Sequence, residues 1–211
     1  MPLSKNATGI ILAGGRGSRI NRNKALITLP DGKALIQRSI GVLKGIFAEV
    51  LIVANRKELY RDFGVRVVED LIKGAGPLGG IFAGLHYSSS HVNFVIGCDM
   101  PFPQPGLIRL LVEECGDHDV VIPQAGGEVE PLFAIYTKNC LPVISDHLQR
   151  SDLKVRSILT ELRVRRVEER EIERVDPERL SFFNVNNPED LKRALSLLSG
   201  DRAANSTNNP L

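Results

Sequence analysis

A short apolar run that stops at two adjacent glycines is the feature that most constrains this chain. Residues 9–13 read Gly-Ile-Ile-Leu-Ala and are followed by Gly14 and Gly15, which predicts a buried strand ending in a tight loop. The loop then carries four cationic side chains: Arg16, Arg19, Arg22 and Lys24. Because glycine has no Cβ, backbone N–H groups can close around an anion, and the cations neutralise its charge. The pattern indicates a polyphosphate site.

Two familiar phosphate-binding loops are excluded by their spacing. A P-loop requires Gly-Lys-Ser/Thr, which does not occur in this sequence. The dinucleotide fingerprint requires a third glycine at the position of Ile20. An ordinary strand-to-helix turn remains the alternative interpretation of a lone glycine-rich loop.

Apolar runs alternate with amphipathic segments along the chain, which is typical of a parallel sheet with crossover helices. Strands are predicted at 9–13, 49–54, 66–69 and 93–98, and helices at 34–47, 81–88, 105–115 and 139–149. We therefore expect a single three-layer α/β/α, Rossmann-like domain with a mostly parallel sheet, spanning residues 1–198. Residues 199–211 are polar and aperiodic, and we expect them to be a disordered tail.

Polar residues stand where several of these strands end, and ligands of parallel sheets bind beyond that edge. Asp99 follows the strand 93–98 directly, and a carboxylate there is a natural ligand for Mg²⁺ bound to phosphate oxygens. The alternative is a cap of the helix that begins near Pro105, but too many residues intervene. The glycine-rich segment 73–80 precedes another predicted helix, and it could bind an anion or serve as a flexible connector.

Composition narrows the classes of partner and compartment. The net charge is +2, so charge alone implies neither a nucleic-acid nor a membrane partner. Three widely spaced cysteines argue against a disulfide framework and for a reducing compartment. The first eight residues contain no hydrophobic signal region. We expect a cytoplasmic protein.

The loop resembles the pattern L-A-G-G-x-[SG]-x-R-x(4)-K of nucleotidyltransferases, specifically the molybdenum cofactor guanylyltransferase (MobA) family. Further motifs match in the same order along nearly the whole predicted domain: Gly-Pro-Leu-x-Gly at 76–80, Cys-Asp-Met-Pro-Phe at 98–102, Glu-Pro-Leu at 130–132, and Phe-x-Asn-x-Asn-Asn-Pro at 182–188. Two departures are Asn21 and Asn23, where the family usually has Gly and Asp. Asparagine tolerates a left-handed backbone, so the first change is mild.

The resemblance implies transfer of GMP from GTP to the terminal phosphate of Mo-molybdopterin, with Mg²⁺ as cofactor and pyrophosphate as product. Arg19, Lys24 and Asp99 would be catalytic, and Asp99 would bind the metal. The implied GTP-binding residues are Leu12, Ala13, Gly14, Gly15, Lys24, Asn55, Asp70, Gly80 and Asp99. Asn184 and Asn186 would lie near the phosphates and the metal. A monomer or weak oligomer with transient contacts to other molybdenum-cofactor proteins is expected.

Three alternatives stay open on the sequence. A related transferase could use CTP and act on molybdopterin or a sugar phosphate, although such relatives tend to have Ala where this chain has Gly15. A non-catalytic GTP-binding module would not need Lys24, Asp99 and Asn186 together. An NAD-dependent enzyme is disfavoured by Ile20.

Overall fold

The computed structural model describes residues 4–14, 24–29 and 32–204. Eight strands and six α-helices occur in these ranges. The strands are β1 (Ser4–Leu12), β2 (Phe47–Val53), β3 (Arg66–Val68), β4 (Val92–Gly97), β5 (Val120–Ala125), β6 (Glu128–Val129), β7 (Phe133–Thr137) and β8 (Val164–Glu168). The helices are α1 (Leu35–Lys44), α2 (Gly76–Tyr87), α3 (Pro105–Glu113), α4 (Cys140–Gln149), α5 (Glu169–Glu173) and α6 (Pro188–Ala204).

The strands form one sheet in the order β3-β2-β1-β4-β7-β5-β6, with β8 beside β5. The pairs β1–β2, β1–β4, β2–β3 and β5–β8 are parallel. Strand β7 is antiparallel to both of its neighbours, β4 and β5. The predicted mostly parallel α/β sheet is confirmed, and β7 and the two-residue β6 run opposite to the other strands.

Alternate residues of the central strands face two separate apolar cores, because successive side chains of a strand point to opposite faces. Ile11 of β1 packs in the core covered by α1 and α3. Its neighbour Ile10 packs in the core covered by α2 and α4. Both side chains are fully buried. The result is the expected arrangement of helix layers on both faces of the sheet.

Helix α2 approaches the sheet very closely at Gly84. A methyl group at Gly84 would lie 2.8 Å from Ile10 Cγ2 and 3.5 Å from Val53 Cγ2. The absence of a side chain therefore sets the distance between α2 and the strands β1 and β2.

A third, small apolar cluster lies beside the main cores and joins distant parts of the chain. Its buried members are Leu29, Leu35, Val185 and Ala194, and the half-buried Phe102 and Phe183 pack against them. The cluster connects the segment after Lys24, the segment after Asp99 and the segment around Asn186 with helix α6.

Two predicted helix boundaries need correction. The helix predicted over 34–47 ends at Lys44, and Phe47 already belongs to β2. Helix α2 begins at Gly76 rather than near Ile81, because Pro77 in its first turn suits a helix start. The glycine-rich segment thus supplies the first turns of α2 instead of preceding it.

The C-terminal region also differs from the expected pattern. The motif at 182–188 would suit a strand that carries Asn184 and Asn186 on one face, but Leu180–Phe182 is a short 3-10 helix and residues 183–187 have no regular secondary structure. Helix α6 extends to Ala204, past residue 198. In the described part of the chain, no helix is long and apolar enough to span a membrane.

Candidate functional site

A cleft of about 340 Å³ lies at the carboxyl ends of β1, β2, β3 and β4. Parallel strands that end together leave their following loops at one edge, which is where ligands of such sheets bind. The antiparallel β7 begins at this same edge, because Phe133 pairs with Ile96. The cleft is lined by Leu12, Gly14, Val53, Asn55, Asp70, Gly74, Gly76, Pro77, Gly80, Gly97, Cys98, Asp99 and Leu132.

Gly14, Asn55 and Asp70 meet at one end of the cleft although they are far apart in sequence. The side-chain amide of Asn55 donates a hydrogen bond to the carbonyl of Gly14 at 3.2 Å. A methyl group at Gly14 would lie 3.1 Å from Asp70 Oδ2 and 3.4 Å from Asn55 Nδ2. The glycine therefore lets the first loop approach both polar side chains closely.

Asp70 is a half-buried carboxylate whose surroundings do not satisfy it fully. Burial raises the pKa of Asp70 above its ordinary value, and the side chain of Asn55 acts in the opposite direction. Its Oδ1 atom is buried and has no hydrogen-bond partner among the described residues. Because an unpaired buried acceptor is costly, this oxygen is suited to accept a hydrogen bond from a ligand hydroxyl or N–H group.

The first turns of α2 form a wall made of glycine and apolar groups. A methyl group at Gly80 would lie 3.3 Å from Leu12 Cδ2 and 3.7 Å from Asp70 Oδ1. Gly76 and Pro77 at the start of the helix also line the cleft. The wall therefore carries few side chains, and its first backbone N–H groups lie at a helix N-terminus.

Asp99 stands at the other end of the cleft, two residues after β4. A methyl group at Gly97 would lie 2.7 Å from Asp99 Oδ1, so the glycine makes room for the carboxylate. The backbone carbonyl of Asp99 accepts a hydrogen bond of 2.9 Å from Val185 N–H. The segment that contains Asn184 and Asn186 is thereby attached directly to the Asp99 loop.

Glu130 is a second carboxylate at this end of the cleft. Its Oε1 atom accepts a hydrogen bond of 3.2 Å from the N–H of Leu132, a residue of the cleft wall. Burial and the negative charge of Asp99 raise the pKa of Glu130, while Arg156 opposes this effect. Carboxylates are ligands that Mg²⁺ prefers, and Mg²⁺ commonly uses one or two of them together with phosphate oxygens and water. The described residues contain no group of three or more His, Cys, Asp or Glu side chains that could hold a metal ion.

Some of the residues predicted to bind GTP do not line the cleft, and others lie outside the residues that the structure describes. Ala13 is not part of the wall: its N–H donates to Val53 O at 2.8 Å, and its carbonyl accepts from the Tyr60 hydroxyl at 3.3 Å. Asn184 and Asn186 adjoin the site through Val185 rather than lining the cleft. Gly15, Arg19 and the side chain of Lys24 lie outside the described residues.

Outside the glycine-rich segment, sequence reasoning missed four residues of the wall, namely Val53, Gly97, Cys98 and Leu132. Gly97 is the last residue of a strand that was identified, and its position two residues before Asp99 was the available signal. Leu132 is the last residue of the matched Glu-Pro-Leu motif at 130–132. Leu132 lies at the cleft because β7 pairs antiparallel with β4 and therefore begins where β4 ends.

Comparison with known proteins gives a consistent picture. Residues 9–167 match the family model described as MobA-like NTP transferase domain. The "Probable molybdenum cofactor guanylyltransferase" of Pelotomaculum thermopropionicum is 41% identical over 93% of this chain and 95% of that protein. The "Molybdenum cofactor guanylyltransferase" of Desulfosudis oleivorans is 34% identical over 92% of this chain and 97% of that protein.

A solved structure resembles the whole fold. It is the molybdopterin-guanine dinucleotide biosynthesis protein A from Archaeoglobus fulgidus, with a TM-score of 0.79 and 29% sequence identity. The superposition covers 92% of this chain and 99% of the other. Residues 9–167, which match the family model, contain every described residue that lines the cleft.

Proposed function

The chain belongs to the MobA-like NTP transferase family, and we propose on that premise that it is a guanylyltransferase acting on the molybdenum cofactor. It transfers GMP from GTP to the terminal phosphate of Mo-molybdopterin and releases pyrophosphate. The observation that carries this proposal is that a single cleft is lined by the Asn55–Asp70 pair, by Asp99 and by several glycines. One end suits a nucleoside, and the other suits a phosphate chain bound to a cation.

The guanosine of GTP binds at the Asp70 end of the cleft. Leu12 and Gly80 form the apolar and side-chain-free surfaces that accept the flat base, while Gly14 and Asn55 present polar groups at its edge. The unpaired Oδ1 atom of Asp70 accepts a hydrogen bond from a hydroxyl or N–H group of the nucleoside. Ala13 supports this end from behind through its bond to Tyr60.

The phosphates of GTP lie at the Asp99 end, where Asp99 would hold Mg²⁺. Nucleotidyltransferases of this family generally depend on a metal ion, and the carboxylates of Asp99 and Glu130 are groups that fit Mg²⁺. When bound, the cation neutralises negative charge on the phosphate oxygens. Arg19, Gly15 and Lys24 of the first loop contact the triphosphate, and Asn184 and Asn186 lie near the phosphates and the metal.

The protein accelerates the reaction by position and by charge. Transfer requires the terminal phosphate of the acceptor to approach the α-phosphorus in line with the departing pyrophosphate, and fixing both substrates in one cleft supplies much of the acceleration. Arg19 and Lys24 stabilise the charge that develops on the leaving pyrophosphate. The attacking phosphate is already ionised at neutral pH, so a protein base is not needed. The surroundings of Glu130 form the side on which the acceptor binds.

We also propose that the protein acts in the cytoplasm as a monomer or weak oligomer and makes transient contacts with other proteins of molybdenum-cofactor synthesis. These proposals follow from the function, since the product must be delivered to the enzymes that use it. Neither a nucleic-acid nor a membrane partner is needed for this chemistry.

Nucleotide selectivity tests the proposal. GTP, CTP, ATP and UTP are titrated in the presence of Mg²⁺ against the wild type, Asp99→Ala and the control Asp62→Ala, which changes an exposed carboxylate outside the cleft. Selective GTP binding that requires Mg²⁺ in the wild type and the control, but loses its Mg²⁺ dependence in Asp99→Ala, supports the assignment. Preference for CTP would replace it with the cytidylyltransferase alternative, and failure to bind any triphosphate would refute it.

A further inference from the structure

Asp176 is a buried carboxylate outside every motif that the sequence indicated, and only 2% of it is exposed. Its Oδ1 atom accepts a hydrogen bond from Leu180 N–H, and its Oδ2 atom accepts one from Ser181 N–H, both at 3.0 Å. These bonds satisfy the first N–H groups of the 3-10 helix Leu180–Phe182. Both carboxylate oxygens of Asp176 are therefore bonded to the main chain of this segment.

The turn that Asp176 closes has a fixed and unusual backbone. Arg179, between Asp176 and the 3-10 helix, has a φ angle of +53°, a left-handed conformation that side chains other than glycine adopt only where their surroundings hold them. Its N–H donates to the carbonyl of Asp176 at 2.9 Å. The side chain and the main chain of Asp176 therefore both hold the same turn.

This turn is connected to the Asp99 loop at two points. The hydroxyl of the fully buried Ser181 accepts a hydrogen bond of 3.0 Å from Gln104 N–H, which lies at the end of that loop. Val185 N–H donates to the carbonyl of Asp99 at 2.9 Å. The segment from Ser181 to Val185 therefore spans the loop from its end back to its metal-binding residue.

The far end of the segment is held by Asp190 in the first turn of α6. Asp190 Oδ2 accepts hydrogen bonds from Asn186 N–H at 2.7 Å and Asn187 N–H at 3.1 Å. Asn187 Oδ1 in turn accepts a bond of 2.8 Å from Asp190 N–H, which forms a reciprocal cap. The backbone of Asn186 is thus fixed between two anchors, one at each end of residues 180–187.

We propose that Asp176 is a positioning residue for the transferase: it fixes residues 180–187 so that Asn184 and Asn186 are held beside Asp99 and the phosphates. The inference rests on the proposed function, because it assigns a role in GMP transfer to a group that touches neither substrate. A displacement of about 1 Å at a reacting centre can cost as much as a hundredfold in rate, so a single buried anchor has a large effect on turnover.

Asp176→Asn tests the proposal, since it keeps the shape but replaces an acceptor with an N–H donor. Asp119→Asn is the matched control, because Asp119 is also buried and accepts backbone and side-chain donors but lies away from the cleft. We expect kcat at saturating GTP and metal to fall about tenfold or more in Asp176→Asn. We expect Mn²⁺, followed by electron paramagnetic resonance, to bind the protein–GTP complex about tenfold more weakly, whereas the control matches the wild type in both measurements.

A double-mutant cycle with Asn186→Ala separates positioning from general stabilisation. If Asp176 acts through Asn186, the double variant Asp176→Asn/Asn186→Ala should bind Mn²⁺ less than about twofold more weakly than Asn186→Ala alone. The inference would be overturned if the losses of Mn²⁺ affinity from the two single substitutions multiplied in the double variant. It would also be overturned if Asp176→Asn kept the kcat and the Mn²⁺ affinity of the Asp119→Asn control.

Two further results keep the experiment decisive. If Asp176→Asn does not fold, Ser181→Ala removes the link to Gln104 and is expected to lower kcat and Mn²⁺ affinity in the same direction; wild-type values there would overturn the proposal. Failure of the proposed function would be seen in the wild type, because electron paramagnetic resonance would then detect no complex of the protein with GTP and Mn²⁺.

Discussion

The close approach of α2 to the sheet at Gly84 leads to a quantitative prediction for Gly84→Ala. The new methyl group would lie 2.8 Å from Ile10 Cγ2 and 3.0 Å from Ile10 Cδ1, and Ile10 is fully buried. Overpacking of this kind costs about 2–3 kcal/mol where the neighbour cannot move away. Replacing glycine by alanine within a helix returns about 1 kcal/mol. The free energy of unfolding should therefore fall by about 1–2 kcal/mol.

Gly41→Ala is the matched control, because it makes the same chemical change in a helix without the steric conflict. Gly41 lies in α1, is exposed, and a methyl group there would have no neighbour within 4 Å. Without a steric conflict, the only effect is the greater helix propensity of alanine compared with glycine, so Gly41→Ala should stabilise the protein by about 0.5–1 kcal/mol.

Urea unfolding followed by circular dichroism measures both variants. The midpoints should move in opposite directions, and the thermal midpoint should change by about 2–4 °C for each kcal/mol. Because α2 also forms a wall of the cleft, its displacement in Gly84→Ala should raise the KM for GTP. A Gly84→Ala variant as stable as Gly41→Ala would refute the reasoning that this glycine sets the distance between helix and sheet.

Three further predictions concern charge, thiol reactivity and binding. Hydrogen bonds from Arg163 hold the pKa of Asp119 well below its ordinary value, so this carboxylate stabilises the fold above about pH 4 and the stabilisation is lost as the pH falls towards its lowered pKa. Asp119→Asn should thus cost about 2 kcal/mol in urea unfolding at pH 7 and less at pH 3, and an equal loss at both pH values would contradict this. Cys98 lines the cleft, whereas burial raises the pKa of Cys140 to about 12, so a thiol reagent at pH 8 should modify Cys98 first and GTP should slow it; a lack of protection would place GTP elsewhere. Asn55→Ala removes the amide that holds the first loop, so isothermal calorimetry should show GTP binding weakened about tenfold, and unchanged affinity would exclude Asn55 from the site.

The sequence predicted the sheet and the edge of the site because those features are encoded locally. A run such as Val-Ile-Gly-Cys followed by Asp99 identifies both a buried strand and the carboxylate at its end. Once parallel strands are inferred, their carboxyl ends must meet, so Asn55 and Asp70 could be placed near Gly14 before any contact was known. The family resemblance added the roles of these residues.

The parts that sequence reasoning missed depend on contacts between distant segments. Phe47 suits the apolar stripe of α1 as well as the start of β2, and its pairing opposite Ser4 of β1 decides between them. Leu132 reaches the cleft because β7 pairs antiparallel with β4, and local periodicity carries no information on strand direction. The role of Asp176 could not be inferred because its acceptor atoms serve backbone groups, which every sequence possesses.

The reversed strand β7 has a consequence for how this architecture can change its chemistry. In the proposed arrangement, strands β1 to β4 bring the nucleotide half of the cleft from the first hundred residues, whereas the turn before β7 brings Leu132 and the neighbouring Glu130 from a later stretch. The two halves of the cleft meet at the same edge of the sheet, but separate stretches of the gene encode them. Substitution or exchange of the later stretch can therefore alter the acceptor while the nucleotide half is retained, and an ancestor of this architecture could have diversified one substrate at a time.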